Sequence, residues 1–239
     1  MGSFAQFHAR SIADRDNFWA EQAKMVDWQT QPQQICDYTN PPFAKWFVGG
    51  TTNLCHNAVD RHLKDRANQN ALIFVSTETD QELTYTFAQL HDEVQRMAAI
   101  LLELGVGKGD RVLIYMPMIP QACFAMLACV RIGAIHSVVF GGFSPDSLAG
   151  RITDCDSKIV IIADEGVRGG KTYSAVVELV RRIFIDLATP GKPRKITGQG
   201  GNFRRPALHY WIVSPIAALS REPLRYLFEI IPRECIASY

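Results

Sequence analysis

Between residues 71 and 163, short unbroken apolar runs alternate with stretches of helical spacing, and this alternation narrows the possible fold more than any other feature. Residues 71–76, 111–116, 136–140 and 158–163 read as strands. Several of these runs are apolar throughout, which suits strands covered on both faces, as in a parallel sheet. Between the first two, Leu90, Val94, Met97, Ala98, Leu101, Leu102 and Leu104 recur at helical spacing. Gly105 then stops that helix as a left-handed cap would. Residues 120–132 read as a helix that is apolar nearly all round and therefore buried. Ser144, Pro145 and Asp146 open another, as N-cap, first-turn proline and dipole-favoured acid. The alternation predicts an α/β fold, a mostly parallel sheet flanked by helices. Ligands of such sheets bind beyond the carboxyl ends of the strands.

The preceding residues are less regular. Residues 4–25 have helical spacing, with Phe18 and Trp19 able to bury. Residues 29–48 are rich in Gln, Pro and aromatic side chains and read as irregular but packed. Gly49 to Thr52 read as a turn and residues 53–64 as a short helix. Arg10, Asp14, Arg15, Asp16, Glu21 and Lys24 interrupt the start of the chain, so no secretory signal is expected. The longest apolar stretch, near 122–130, is about half of what a bilayer needs. Cysteines at 36, 55, 123, 129, 155 and 235 form no C-x-x-C pair. They read as free thiols of a reducing compartment, with Cys123 and Cys129 as small buried hydrophobes. A cytoplasmic protein without membrane or nucleic-acid partners is expected.

Three glycine-rich segments differ in their order relative to strand and helix. Gly105, Gly107 and Gly109 run from helix to strand, whereas a dinucleotide fingerprint runs from strand to helix. They read as a helix stop and a turn. Phe140, Gly141, Gly142, Phe143 and Ser144 follow a strand and open a helix, the order that lets an anion approach backbone and helix N-terminus. A plain tight turn fits the same pattern. Gly166 to Thr172 also follows a strand and ends in Gly170, Lys171 and Thr172, but the glycine that a Walker A loop requires falls on Glu165. A phosphate-loop NTPase therefore fails on spacing. Arg168 and Lys171, flanking Gly169 and Gly170, could still hold a phosphate, the first as a fork and the second as a point charge; a solvated basic turn is the alternative. His56 and His62, with Cys55 beside the first, lack the spacing of a metal site. No Ser/His/Asp or Cys/His set emerges from spacing, so no catalytic residue is assigned.

Charge divides the chain. The formal total of +1 gives no strong overall field toward nucleic acid or membrane. Residues 180–239 nevertheless hold 10 Lys and Arg against 4 Asp and Glu, while residues 1–179 hold 15 against 20. A basic last quarter follows an acidic body.

Taken in order, these segments resemble the AMP-forming acyl- and acetyl-CoA synthetase family. The resemblance is carried by Phe18 to Glu21, Asp27-Trp28, Pro41-Pro42-Phe43, Trp46 to Gly50 and Thr52 to His62. It is strongest over Gly109 to Val112, Tyr115 to Met118 and Met126 to Phe143, and it closes at Arg168 to Lys171. Within the family the likeness is to propionate-activating bacterial members. It covers about residues 3–178. It implies a helical N-terminal segment over 1–62, the first part of an adenylation domain over 63–178, and a divergent basic tail over 179–239. It implies two steps: a short-chain carboxylate and ATP give an acyl-adenylate and pyrophosphate with Mg2+, then CoA displaces AMP. The family's CoA nucleotide site corresponds here to Phe140, Gly141, Gly142, Arg168, Gly169, Gly170 and Lys171, with Lys171 standing where the family has arginine. The Thr/Ser/Gly-rich loop followed by Pro-Lys-Gly, and the C-terminal domain with its catalytic lysine, have no counterpart in these residues. The expectation is thus a truncated, frameshifted or misspliced product, or a real divergent ending, inactive alone and binding CoA or none of the cofactors. The rival expectation is a non-catalytic CoA- or nucleotide-binding regulatory module.

Overall fold

A computed structural model describes residues 3–140, 145–157, 159–163, 166–173 and 210–213. The chain divides into two compact units, 1–65 and 66–239.

The first unit opens with two helices, α1 (Phe4–Ala13) and α2 (Arg15–Ala23), where helical spacing suggested one. Asp14 leaves the helical region at φ −127°, ψ 55° and separates them. Ser3 caps α1 reciprocally with Gln6, each side chain accepting from the other's backbone N–H. The break brings Phe7 edge-on to fully buried Phe18, with centroids 4.7 Å apart. Residues 29–48, expected to be irregular, instead contain an antiparallel hairpin of β1 (Gln34–Asn40) and β2 (Phe43–Val48). It turns through Pro41 and Pro42, whose shared peptide bond is cis. Residues 53–64 form three short pieces instead of one helix: α3 (Leu54–Ala58), a single 3-10 turn (Asp60–His62) and α4 (Leu63–Arg66). Asn57 ties this region together. Its side chain accepts from Asp27 N–H (2.8 Å) and Arg61 Nη1 (3.0 Å), and donates to the Asp27 carbonyl, Thr52 Oγ1 and the Asn53 carbonyl.

The second unit begins with an antiparallel hairpin, β3 (Asn70–Ser76) and β4 (Gln81–Thr86). Thr86 then caps α5 (Phe87–Glu103), again reciprocally with a glutamine, Gln89. One face of α5, including Leu90, Val94, Met97 and Leu101, is buried as its spacing predicts. Gly105 ends it at φ +78°. The Val106 N–H donates to the Leu101 carbonyl and the Gly105 N–H to the Leu102 carbonyl, both at 2.9 Å, which completes a Schellman motif. The chain then alternates β5 (Arg111–Met116), α6 (Pro120–Arg131), β6 (Ile135–Phe140), α7 (Pro145–Cys155) and β7 (Ile159–Ala163). The N-cap expected at Ser144 lies outside the described residues.

These strands build the expected parallel sheet, in the order β6–β5–β7. A fourth strand, β10 (Tyr210–Val213), comes from the basic tail and pairs antiparallel with β7. On one face Leu113, Tyr115, Val139, Val160 and Ile162 form a core with Leu148 of α7, and Ile152 packs against it. The alternate residues Val112, Ile114 and Met116 are buried too. They face the side where α6 lies along β5 and β6, because a right-handed crossover from β5 to β6 and the return to β7 put α6 and α7 on opposite faces. The amino ends of the strands are tied together. Gly133 ends α6 at φ +77° in a second Schellman motif, with Ala134 N–H donating to the Cys129 carbonyl (2.8 Å). Gly109 N–H donates to the Gly133 carbonyl (2.9 Å) and Ile135 N–H to the Asp110 carbonyl (2.8 Å). The Arg111 guanidinium donates to the Cys155 carbonyl (2.8 Å) and pairs with Asp156 (2.8 Å). Buried Ser157 Oγ donates to the Ile159 carbonyl (2.8 Å), with the Arg111 carbonyl a longer alternative acceptor at 3.3 Å.

Candidate functional site

Parallel pairing puts the carboxyl ends of β5, β6 and β7 on one edge. Phe140 lies beside Met116, and Tyr115 lies beside Ile162 on its other side. Strands two apart are separated by roughly 10 Å, so the segments leaving β6 and β7 start within reach of one ligand. Phe140 is the last residue of β6. Gly141 and Gly142 lie outside the described residues, as do the side chains of Phe140 and Arg168. Three residues beyond Ala163, the chain forms a hairpin of β8 (Gly166–Arg168) and β9 (Lys171–Tyr173). Arg168 ends the first strand and Lys171, exposed, begins the second. The structure thus brings Arg168, Gly169, Gly170 and Lys171 together in one turn and places Phe140 on the same edge of the sheet.

The turn residues Gly169 and Gly170 have φ of +57° and +72°. Two consecutive left-handed residues make the turn type that matches the twist of a two-residue hairpin and that strongly favours glycine. A Cβ would meet nothing within 4 Å at either position, so backbone conformation, not space, calls for glycine. The same conformation points both N–H groups outward and together. They converge on one carboxylate: Gly169 N–H donates to Glu78 Oε1 (2.8 Å) and Gly170 N–H to Glu78 Oε2 (2.9 Å). These bonds, that of Gly170 foremost, hold the Glu78 carboxyl below its ordinary value. Glu78 sits in the turn between β3 and β4, 91 residues before Gly169. No spacing in the sequence marks it, because a contact across that separation leaves no local pattern.

Among the described residues no group of three or more His, Cys, Asp or Glu could hold a metal ion. None of Cys36, Cys55, Cys123, Cys129 and Cys155 is in a disulfide. Burial pushes the Cys129 thiol up to about 12, which makes it an inert core residue. Among the described residues, no helix is long and apolar enough to cross a membrane.

A parallel sheet with helices on both faces, followed past its carboxyl edge by a glycine turn that holds the Glu78 carboxylate, defines an α/β protein. The model described as "AMP-binding enzyme" matches residues 59–201, and that described as "Acetyl-coenzyme A synthetase N-terminus" matches residues 4–58. The chain belongs to the AMP-binding enzyme family. A propionate–CoA ligase of Salmonella typhimurium is 59% identical over 169 residues, 71% of this chain and 27% of that one. An acetyl-coenzyme A synthetase of Bradyrhizobium diazoefficiens is 57% identical over 174 residues, 72% of this chain and 27% of that one. The structure of acetoacetyl-CoA synthetase from Streptomyces lividans matches at TM-score 0.70 and 32% identity, over 76% of this chain and 29% of that one. This chain therefore spans little more than a quarter of the length of these relatives.

Proposed function

We propose that this chain carries the opening portion of a short-chain acyl-CoA synthetase whose acid is propionate. The reaction begins with attack of a carboxylate oxygen on the α-phosphorus of ATP, which forms propionyl-adenylate and releases pyrophosphate. The CoA thiolate then attacks the acyl carbon and AMP departs. Adenylation turns a carboxylate oxygen into a good leaving group, and Mg2+ neutralises the phosphate charge during the first step. The observation that supports this reading most is the 59% identity to a propionate–CoA ligase over 71% of the chain. In this reading, residues 1–62 are the synthetase's N-terminal segment, 63–178 begin its adenylation domain, and 179–239 are a divergent tail. Phe140, Gly141, Gly142, Arg168, Gly169, Gly170 and Lys171 line the CoA nucleotide subsite. The 239 residues contain no Thr/Ser/Gly-rich loop followed by Pro-Lys-Gly, so alone they make no acyl-adenylate. Purified chain with radiolabelled propionate, ATP, Mg2+ and CoA should give neither labelled adenylate nor labelled thioester; either product refutes the inactivity. A chimera in which residues 1–173 replace their counterparts in the Salmonella typhimurium ligase should retain propionate activation. A folded but dead chimera counts against the reading.

One observation favours a second reading, a module that keeps CoA contact without catalysis. The Gly169 and Gly170 amides already hold an oxyanion, the Glu78 carboxylate. Calorimetry should then show tighter binding of CoA than of 3′-dephospho-CoA, with the difference abolished in Arg168→Ala. Equal binding of the two ligands refutes it.

A further inference from the structure

The contact between Glu78 and the glycine turn has a geometry that simple turn stabilisation does not need. Both turn amides point at one group, and each takes a different oxygen of it, at 2.8 and 2.9 Å. Successive N–H groups arranged this way form an anion-binding concavity. A terminal phosphate offers oxygens in the same fork-like disposition as a carboxylate. The turn also carries Lys171, exposed beside it, whose charge attracts either anion. While Glu78 is docked, its negative charge both fills the donors and weakens that attraction.

We infer that the Gly169–Gly170 turn is an oxyanion site closed from within: the Glu78 carboxylate holds both amide donors, and an external phosphate reaches them only by displacing it.

Three features suit Glu78 to this role. It is on a turn of a separate hairpin, so its departure breaks no strand pairing: β3 ends at Ser76 and β4 starts at Gln81. Its carboxylate is exposed at the protein surface, so release into water carries no burial penalty. At neutral pH it is a carboxylate, the form that both turn amides favour as an acceptor. The closure also links two places distant in sequence, because displacement frees the β3–β4 turn from the edge of the sheet. Naming the ligand as the 3′-phosphate of CoA rests on the subsite reading given above; the closure itself does not.

The test uses the full 239-residue chain labelled with 15N-glycine, and inorganic phosphate as the probe. Resonances of the Gly169 and Gly170 amides are followed in the wild type, Glu78→Gln and Glu78→Ala. Both substitutions should shift these two amides before any phosphate is added. Phosphate should then move them with an apparent Kd about tenfold lower in Glu78→Ala than in the wild type, if the internal carboxylate is docked in about nine molecules of ten. Glu78→Gln, which keeps the shape without the charge, should fall between. Unchanged glycine amides in both variants, with the remaining glycine resonances retained, would overturn the closure. Equal phosphate response in wild type and variants would overturn the competition. If phosphate binds Glu78→Ala as expected but CoA and 3′-dephospho-CoA move the amides alike, the closure stands and the CoA subsite reading fails.

Discussion

Replacing Gly105 and Gly133 by alanine, one at a time, should destabilise the second unit by different amounts. Both glycines follow a helix in a Schellman motif, at φ +78° and +77°. A left-handed alanine costs about 1–2 kcal/mol. Stiffening of the unfolded chain returns about 0.4–1 kcal/mol of this, leaving a net loss of about 1 kcal/mol at either position. The surroundings then separate them. A Cβ at Gly105 meets nothing within 4 Å, while one at Gly133 comes to 3.1 Å from Lys108 Cγ and 3.4 Å from Lys108 Cβ. Those atoms lie near the root of the lysine, so relief requires an off-rotamer Lys108 or a backbone shift, about 0.5–1.5 kcal/mol more. Urea unfolding followed by circular dichroism reads the difference. An extra 1 kcal/mol lowers the midpoint by about 0.5 M at an ordinary slope. In a Lys108→Ala background Cγ is gone, and the excess cost of Gly133→Ala should shrink, giving a coupling of about 0.5–1 kcal/mol. Equal losses in the two single variants, or an excess that survives in Lys108→Ala, would refute this reasoning.

Three other perturbations have defined outcomes. Leu113→Ala empties the centre of the core that β5, β6 and β7 share with Leu148, and should cost about 3–5 kcal/mol in the same urea assay. Asn57→Ala removes five side-chain hydrogen bonds that join Asp27, Thr52, Asn53 and Arg61. Because water reaches part of this cluster, the expected loss is about 1–3 kcal/mol, read as lowered thermal stability of the first unit. At pH 8, with the thiol raised to about 12, Cys129 should resist iodoacetamide in the native chain and react only after denaturation, as mass spectrometry of labelled peptides would show.

The sheet was legible because β5 and β7 are buried almost throughout, and burial on both faces writes an unbroken apolar run into the sequence. The same logic explains what was not legible. In β1 only Cys36 is fully buried, and β4 leaves Gln81 to Thr84 exposed, so neither shows a sustained apolar alternation. The break at Asp14 removes one residue from a helical repeat that otherwise runs on, so spacing alone joins α1 to α2. Strand β10 is four residues long and is placed by pairing with β7, not by any neighbour in sequence. At the candidate site, the glycines and flanking charges of 168–171 could be read as an anion-binding turn. Their partner Glu78 could not, since its role comes from tertiary placement alone.

The hydrogen bonds that join the Gly109, Gly133, Asp110 and Ile135 backbones, with Arg111 reaching Cys155 and Asp156, fix all three parallel strands at their amino ends. One consequence concerns tolerance to changes in chain length. Deleting a residue within 105–110 would slip β5 against β6, which now pair from Arg111 with Ile135 to Met116 with Phe140. A slip of one residue turns every core side chain of a strand to the opposite face. The hairpin at 166–173 follows the other end of β7, and among the described residues its strands pair only with each other. Residues gained or lost there leave the register of the sheet unchanged, so chain length is free to vary beyond the carboxyl ends of the strands and is constrained at their amino ends.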